Sequence, residues 1–128
     1  MSRLVIEGGR PLKGEVEISG AKNSALAIIV AAALATEGKS ILENVPRGSD
    51  ITTICEILKE LGAEAYFDDE HKLHIDGRGL NQSRASYDLV RRMRASFYAA
   101  GLLLARLGKA EVPLPGGCAI GSRPVDFH

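Results

Sequence analysis

The chain repeats itself at long range. Leu34-Ala35-Thr36-Glu37-Gly38-Lys39 lines up with Leu104-Ala105-Arg106-Leu107-Gly108-Lys109, and Pro46-Arg47-Gly48 lines up, after one deletion, with Pro115-Gly116-Gly117. A repeat of this length is one supersecondary unit, and such a unit buries its apolar face only against its neighbours. The expectation is an α/β chain (α+β in its local pairing) built from stacked helix-and-sheet units, the first complete and the second only begun. The second unit breaks off after Val125-Asp126-Phe127-His128, an odd place for a complete fold to stop.

Each unit is punctuated by glycine and proline. Leu4–Glu7 and Glu15–Ser19 flank Gly8-Gly9-Arg10-Pro11 and read as a hairpin or strand pair. Ser24–Thr36 is rich in Ala and Leu, has no polar face and meets Gly38, which predicts a helix covered on all sides. Ser40–Asn44 is a strand. Asp50 is placed to cap the next helix, where Ile51, Ile54, Cys55, Leu58 and Leu61 share one face and Gly62 is the stop, giving an amphipathic surface helix. Ala65–Phe67 and Lys72–Ile75 make a hairpin around the charged tip Asp68-Asp69-Glu70-His71. Asp88–Leu107 reads as one long helix ended by Gly108, followed by a strand at Glu111–Leu114.

Bulk properties narrow the function classes. With 128 residues the chain has room for one core. Lys+Arg and Asp+Glu both number 16, so no net field draws nucleic acid or an anionic membrane, and any anion site is local. Two cysteines in unlike contexts, Cys55 and Cys118, do not form a disulfide framework, which fits a reducing cytoplasm. The N-terminus reaches Glu7 after three apolar residues, too few for a signal-peptide core, and the run Ala25–Ala35 is about half a bilayer span.

Three places carry candidate chemistry. Pro115-Gly116-Gly117-Cys118-Ala119-Ile120-Gly121-Ser122-Arg123-Pro124 sets a thiol among glycines whose main-chain N–H groups are free to approach a ligand, with Arg123 placed to hold a phosphate or depress the thiol's pKa. The plainer reading is a turn with a small apolar side chain beneath it. Lys22-Asn23 falls at the N-terminus of an apolar helix, where anions bind, and a polar cap explains the pair equally well. Arg91, Arg92 and Arg94 cluster on the third helix, with Arg91 and Arg94 one turn apart, and otherwise read as a solvated face. Cys55 is core. His71, His74 and His128 have no zinc spacing, and no phosphate-loop or dinucleotide fingerprint is present.

Three stretches taken together carry a resemblance: Gly14-Glu15-Val16-Glu17-Ile18-Ser19-Gly20-Ala21-Lys22-Asn23-Ser24-Ala25-Leu26, then Met93-Arg94-Ala95-Ser96, then Pro115 through Asp126. In this order they resemble the UDP-N-acetylglucosamine 1-carboxyvinyltransferases, the enolpyruvyl transferases that commit UDP-N-acetylglucosamine to peptidoglycan. The cysteine loop sets that family apart from its shikimate-pathway relative. The resemblance implies an inside-out α/β barrel of two similar domains, each of three helix-and-sheet repeats, with the active site in the cleft between them. Residues 1–20 are then strands of the second domain's sheet. Residues 21–128 are a partial first domain, with the first repeat at about 21–85 and the second beginning at about 86–128. Roughly two-thirds of such an enzyme is absent, so the remainder is an implied partner, in cis or as a second chain.

The implied reaction moves the enolpyruvyl group of phosphoenolpyruvate to the sugar 3-hydroxyl and releases phosphate, with no metal or organic cofactor. Lys22 resembles the residue that contacts the phosphoenolpyruvate phosphate, and Asn23 the neighbour that also reaches the sugar. Arg94 resembles an arginine of the substrate site, and Arg123-Pro124-Val125-Asp126-Phe127 the stretch that holds the UDP moiety. Cys118 matches the proton donor, which also forms a covalent adduct with phosphoenolpyruvate and is alkylated by fosfomycin. Tyr98 stands where the family commonly has Trp and Phe127 where it often has Leu, both conservative in size and apolar character. The family's general-base aspartate and a further phosphate-binding arginine lie beyond residue 128, so the chain alone is expected not to turn over. The alternatives are a catalytically incomplete fragment or ligand-binding module, and a thiol-redox protein that would have to use Cys55 as resolving partner.

Overall fold

The computed structural model describes residues 3–114 and Asp126. From Lys22 to Asp76 the elements follow the helix, strand, helix, strand, strand order read from the sequence: α1 (Lys22–Ala32), β1 (Ser40–Leu42), α2 (Ser49–Glu60), β2 (Glu64–Phe67) and β3 (Leu73–Asp76). β3 lies between β1 and β2 and pairs antiparallel with both, so that Leu42 and Phe67 flank Leu73 while Ile41 and Tyr66 flank His74. Period-two alternation then puts Ala65, Leu73 and Ile75 on the buried face. α2 packs over β2 and α1 over β3. The core between them is apolar and closed: Ile29, Ile54, Ile57, Leu58, Leu61 and Leu73 are all fully buried.

The turn out of α2 depends on a glycine. Gly62 has φ of +103°, and a Cβ there would lie 2.4 Å from the carbonyl oxygen of Gly79, so the strand β2 can start only if position 62 has no side chain. α2 is buried more widely than its apolar face predicts, because Thr53 and Ile57 are inside as well. That face packs against α1, β2 and the next helix, while Thr52, Lys59 and Glu60 stay exposed, as an amphipathic surface helix requires. Asp50 does not cap it. Gly48 is at the N-cap, and Asp50 sits in the first turn.

Several expectations are corrected. α1 buries one face, Ala25, Leu26, Ile29 and Val30, whereas Ile28 is 51% exposed. α2, α4 and β3 pack on the buried face. Leu4–Glu7 and Glu15–Ser19 form no strand or hairpin, because a strand exists through its ladder partner and neither stretch has one among the described residues. Residues 3–19 are exposed throughout, Leu12 at 98%. The long helix over Asp88–Leu107 is broken into α3 (Tyr87–Val90), a 3-10 turn (Arg94–Phe97) and α4 (Tyr98–Leu107). Met93 is extended (φ −154°, ψ 150°), which interrupts the i to i−4 ladder, and Arg91 and Arg92 turn to separate partners, Asp88 at 3.5 Å and Glu56 at 3.1 Å. The strand expected at Glu111–Leu114 is reduced to one parallel bridge between Arg84 and Glu111.

The repeat-related helices α1 and α4 pack side by side. Arg106 donates from Nη1 to the carbonyls of Ala33 and Ala35 at 3.0 and 3.1 Å, satisfying acceptors left open at the end of α1.

Candidate functional site

α1 begins at Lys22 without help from a side chain. Its N-cap is Ala21, which makes no capping hydrogen bond, and the first turn holds no acid. The first N–H groups of an α-helix have no intrahelical partner, so this end carries open donors and the positive end of the helix dipole. Asn23 is therefore an exposed residue of the first turn and not a cap, which removes the capping explanation for Lys22-Asn23. An apolar helix with an uncapped start and a lysine on its first residue presents local positive charge in a chain of zero net charge.

The Lys22 Nζ donates to Asp50 Oδ2 at 2.5 Å, bringing the N-terminal ends of α1 and α2 together. The lysine side chain is 54% exposed and the aspartate 29%. A pair this open to water contributes little stability. Just before the helix, Gly20 N–H donates to Asn44 Oδ1 at 3.0 Å, and Asn44 Nδ2 donates to the carbonyl of Ile18 at 3.5 Å. Asn44 follows β1 with φ of +54°.

The other expected site residues are distributed as follows. Arg94 opens the 3-10 turn leading into α4 and is half-buried. It does not share a helix face with Arg91, as the spacing predicts, because the helix is interrupted between them. Asp126 is exposed. Cys118, Arg123, Pro124, Val125 and Phe127 lie outside the described residues. Cys55 is buried on α2, and burial pushes its thiol up to about 11, Lys59 lowering and Glu56 raising it by smaller amounts. A thiol so protonated at neutral pH is a core residue and a poor redox partner.

At the tip of the β2–β3 hairpin, a shallow concavity of about 550 Å³ is lined by Ile41, Glu43, Asp68, Asp69, Glu70, Lys72 and His74. Four carboxylates against one lysine repel an anionic substrate, so this hollow is not the candidate site. His74 is stacked on Tyr66 with ring centroids 4.9 Å apart, and its Nε2 meets Asp68 Oδ2 at 2.7 Å. Among the described residues no group of three or more His, Cys, Asp or Glu could hold a metal ion, and no helix is long and apolar enough to cross a membrane.

Two residues of the site are not found by reading the sequence. Asp50 looks like a helix cap and is the partner of Lys22; Asn44 looks like the end of a strand and holds the backbone of Gly20. The local signal for Asn44 was its residue type, since asparagine is among the few residues that tolerate positive φ. No local signal exists for Asp50.

Comparison with known proteins completes the description. A family profile described as EPSP synthase (3-phosphoshikimate 1-carboxyvinyltransferase) matches residues 6–128. Over 127 residues the chain is 58% identical to UDP-N-acetylglucosamine 1-carboxyvinyltransferase 2 of Symbiobacterium thermophilum, covering 99% of this chain and 30% of that protein. It is 55% identical over 128 residues to the UDP-N-acetylglucosamine 1-carboxyvinyltransferase of Psychromonas ingrahamii, covering 100% and 30%. It is 52% identical over 128 residues to that of Dichelobacter nodosus, again covering 100% and 30%. Among solved structures, the enolpyruvyl transferase NikO from Streptomyces tendae superposes with a TM-score of 0.68 at 31% identity, covering 79% of this chain and 23% of that one. The chain thus spans about 30% of the length of the curated relatives it matches.

Proposed function

Because the chain belongs to the EPSP synthase (3-phosphoshikimate 1-carboxyvinyltransferase) family, we propose that it is part of an enzyme that transfers the enolpyruvyl group of phosphoenolpyruvate to the 3-hydroxyl of UDP-N-acetylglucosamine. The observation that carries the choice of acceptor is identity of 52% or more, over nearly every residue, to three proteins bearing that name. The role fits a cytoplasmic enzyme committing a nucleotide sugar to peptidoglycan. Residues 1–20 are assigned to the sheet of a second domain, and about 21–85 and 86–128 to the first repeat and the start of the second.

In the reaction, the methylene carbon of phosphoenolpyruvate takes a proton while the sugar oxygen, losing its own proton to a base, bonds to the central carbon, and the phosphate then leaves with its bridging oxygen as a proton is removed again from the methyl carbon. Lys22 and the open amides of α1 are suited to the phosphate: the cation and the helix terminus both favour negative charge, and Asp50 holds the lysine until the ligand displaces it. Asn23 and Arg94 are proposed to contact substrate, and Arg123, Pro124, Val125, Asp126 and Phe127 to hold the UDP moiety. Cys118 is proposed as the proton donor, the site of the phosphoenolpyruvate adduct and the target of fosfomycin. As general acid it must give its proton to carbon and remain as a thiolate, which nearby cations favour.

The test is phosphate release from phosphoenolpyruvate by the complete enzyme, this chain together with the remaining polypeptide. Release should require UDP-N-acetylglucosamine, and Cys118→Ser should abolish the fosfomycin adduct seen by intact mass. Lys22→Ala should raise the KM for phosphoenolpyruvate about 10- to 100-fold, the range for loss of one charge-assisted hydrogen bond, ~1.5–3 kcal/mol. Release with 3-phosphoshikimate and none with the nucleotide sugar would overturn the choice of acceptor. The coverage of 30% favours one second reading, that the 128 residues by themselves bind ligand without turnover. Steady-state release by the isolated chain would exclude it.

A further inference from the structure

Among the described residues, the hydrogen bonds that hold the chain just ahead of Lys22 come from one place, and they set its direction into α1 whether or not residues 1–20 also join a second domain's sheet. Asn44 supplies that constraint from the end of β1. Its amide grips the backbone on both sides of Ser19, accepting from Gly20 N–H at 3.0 Å and donating to the Ile18 carbonyl at 3.5 Å. Its own main chain also takes part. A Cβ at position 20 would lie 2.1 Å from the Asn44 carbonyl oxygen, an approach only glycine permits. Asn44 holds φ of +54°, a conformation that a side chain rarely adopts and that persists where the surroundings impose it. The two positions are therefore matched: Gly20 for the close approach, Asn44 for a left-handed backbone carrying a short amide.

We propose that Asn44 is a positioning residue for Lys22: by clamping Ile18 and Gly20 it fixes the first turn of α1, so that the lysine and the open amides converge on one phosphate. Asn44 touches no substrate and acts only through the segment it holds. The inference rests on Lys22 being the phosphate contact, as proposed above. Without the clamp, residues 18–23 regain freedom that ligand binding must then remove, which weakens phosphoenolpyruvate and leaves the nucleotide sugar unaffected.

The experiment uses the complete enzyme with Asn44→Gly, which accepts positive φ and removes only the amide, and Asn44→Asp, which keeps the acceptor for Gly20 N–H. Asn44→Gly should raise the KM for phosphoenolpyruvate about tenfold, as for loss of one or two ordinary hydrogen bonds, with kcat and the KM for UDP-N-acetylglucosamine within about twofold. Asn44→Asp should recover most of the difference. In a Lys22→Ala background, Asn44→Gly should cost clearly less than tenfold, because the share of its effect that passes through Lys22 is already lost. A lowered thermal midpoint with unchanged KM, or the same tenfold loss without Lys22, would overturn the inference and leave Asn44 a purely structural residue. Failure of the unsubstituted enzyme to use phosphoenolpyruvate would overturn the proposed reaction and this inference with it, an outcome distinct from the other two.

Discussion

At the scale of single residues, charge placement predicts how the fold responds to acid. At the end of β3 the Arg78 guanidinium donates from Nε to both oxygens of Asp76, at 2.9 and 3.0 Å, and from Nη2 to Oδ2, and the Arg78 backbone N–H adds a bond to Oδ1 at 3.0 Å. The side-chain bonds first and the backbone bond second hold the Asp76 carboxyl at about 2, against an ordinary 3.8. A carboxylate depressed in the folded state stabilises it fully above the unfolded value, and that contribution is lost as pH falls through the folded one. Asp68 is lowered in the same sense, chiefly by its bond to His74. The difference in urea midpoint between the wild-type chain and Asp76→Asn should thus be constant above about pH 5 and shrink progressively as the pH falls through about 2. A difference that is flat through this window would remove Asp76 as a contributor.

Among elements, the pairing of α1 with α4 links the first unit to the second. Neither helix is amphipathic enough to declare a partner, yet the half-buried Arg106 on α4 spans to the Ala33 and Ala35 carbonyls, a cation at the negative end of the α1 dipole. Arg106→Ala should lower the stability of the chain by about 1–2 kcal/mol, the worth of charge-assisted bonds in a partly wet site, and Arg106→Lys should lower it less. Chemical denaturation measures both. An unchanged midpoint in Arg106→Ala would mean that apolar packing of α1 on α4 suffices.

For the molecule as a whole, the apolar residues left in solvent matter most. Leu4, Val5, Ile6, Val16 and Ile18 are exposed before the first helix, and Ile28 is exposed on α1 itself. Their alternation with charge in Glu15-Val16-Glu17-Ile18 is that of a strand with one covered face. If residues 1–20 join a second domain's sheet, backbone amides at 4–7 and 15–18 should exchange in the isolated chain at free-peptide rates. In the complete enzyme they should slow by at least ~100-fold, as ladder amides do. Equal exchange in both would overturn the assignment of this segment.

What the sequence determined by itself was everything written in neighbouring residues. The inward face Ile51, Ile54, Cys55 and Leu58, the hairpin around Asp68–His71, the glycine stop at Gly62 and the lysine at a helix start are all local patterns with periods or stops of their own. The family resemblance rested likewise on contiguous motifs, and the relatives bear it out. Tertiary structure alone decided that Lys22 meets Asp50, that Asn44 clamps Gly20, that the helix breaks at Met93 with no glycine or proline to mark it, and that the stretches at 4–7 and 15–19 stand without a partner. Each of these depends on residues brought together from distant parts of the chain, and a hydrogen bond or a strand exists only when its other half is in place.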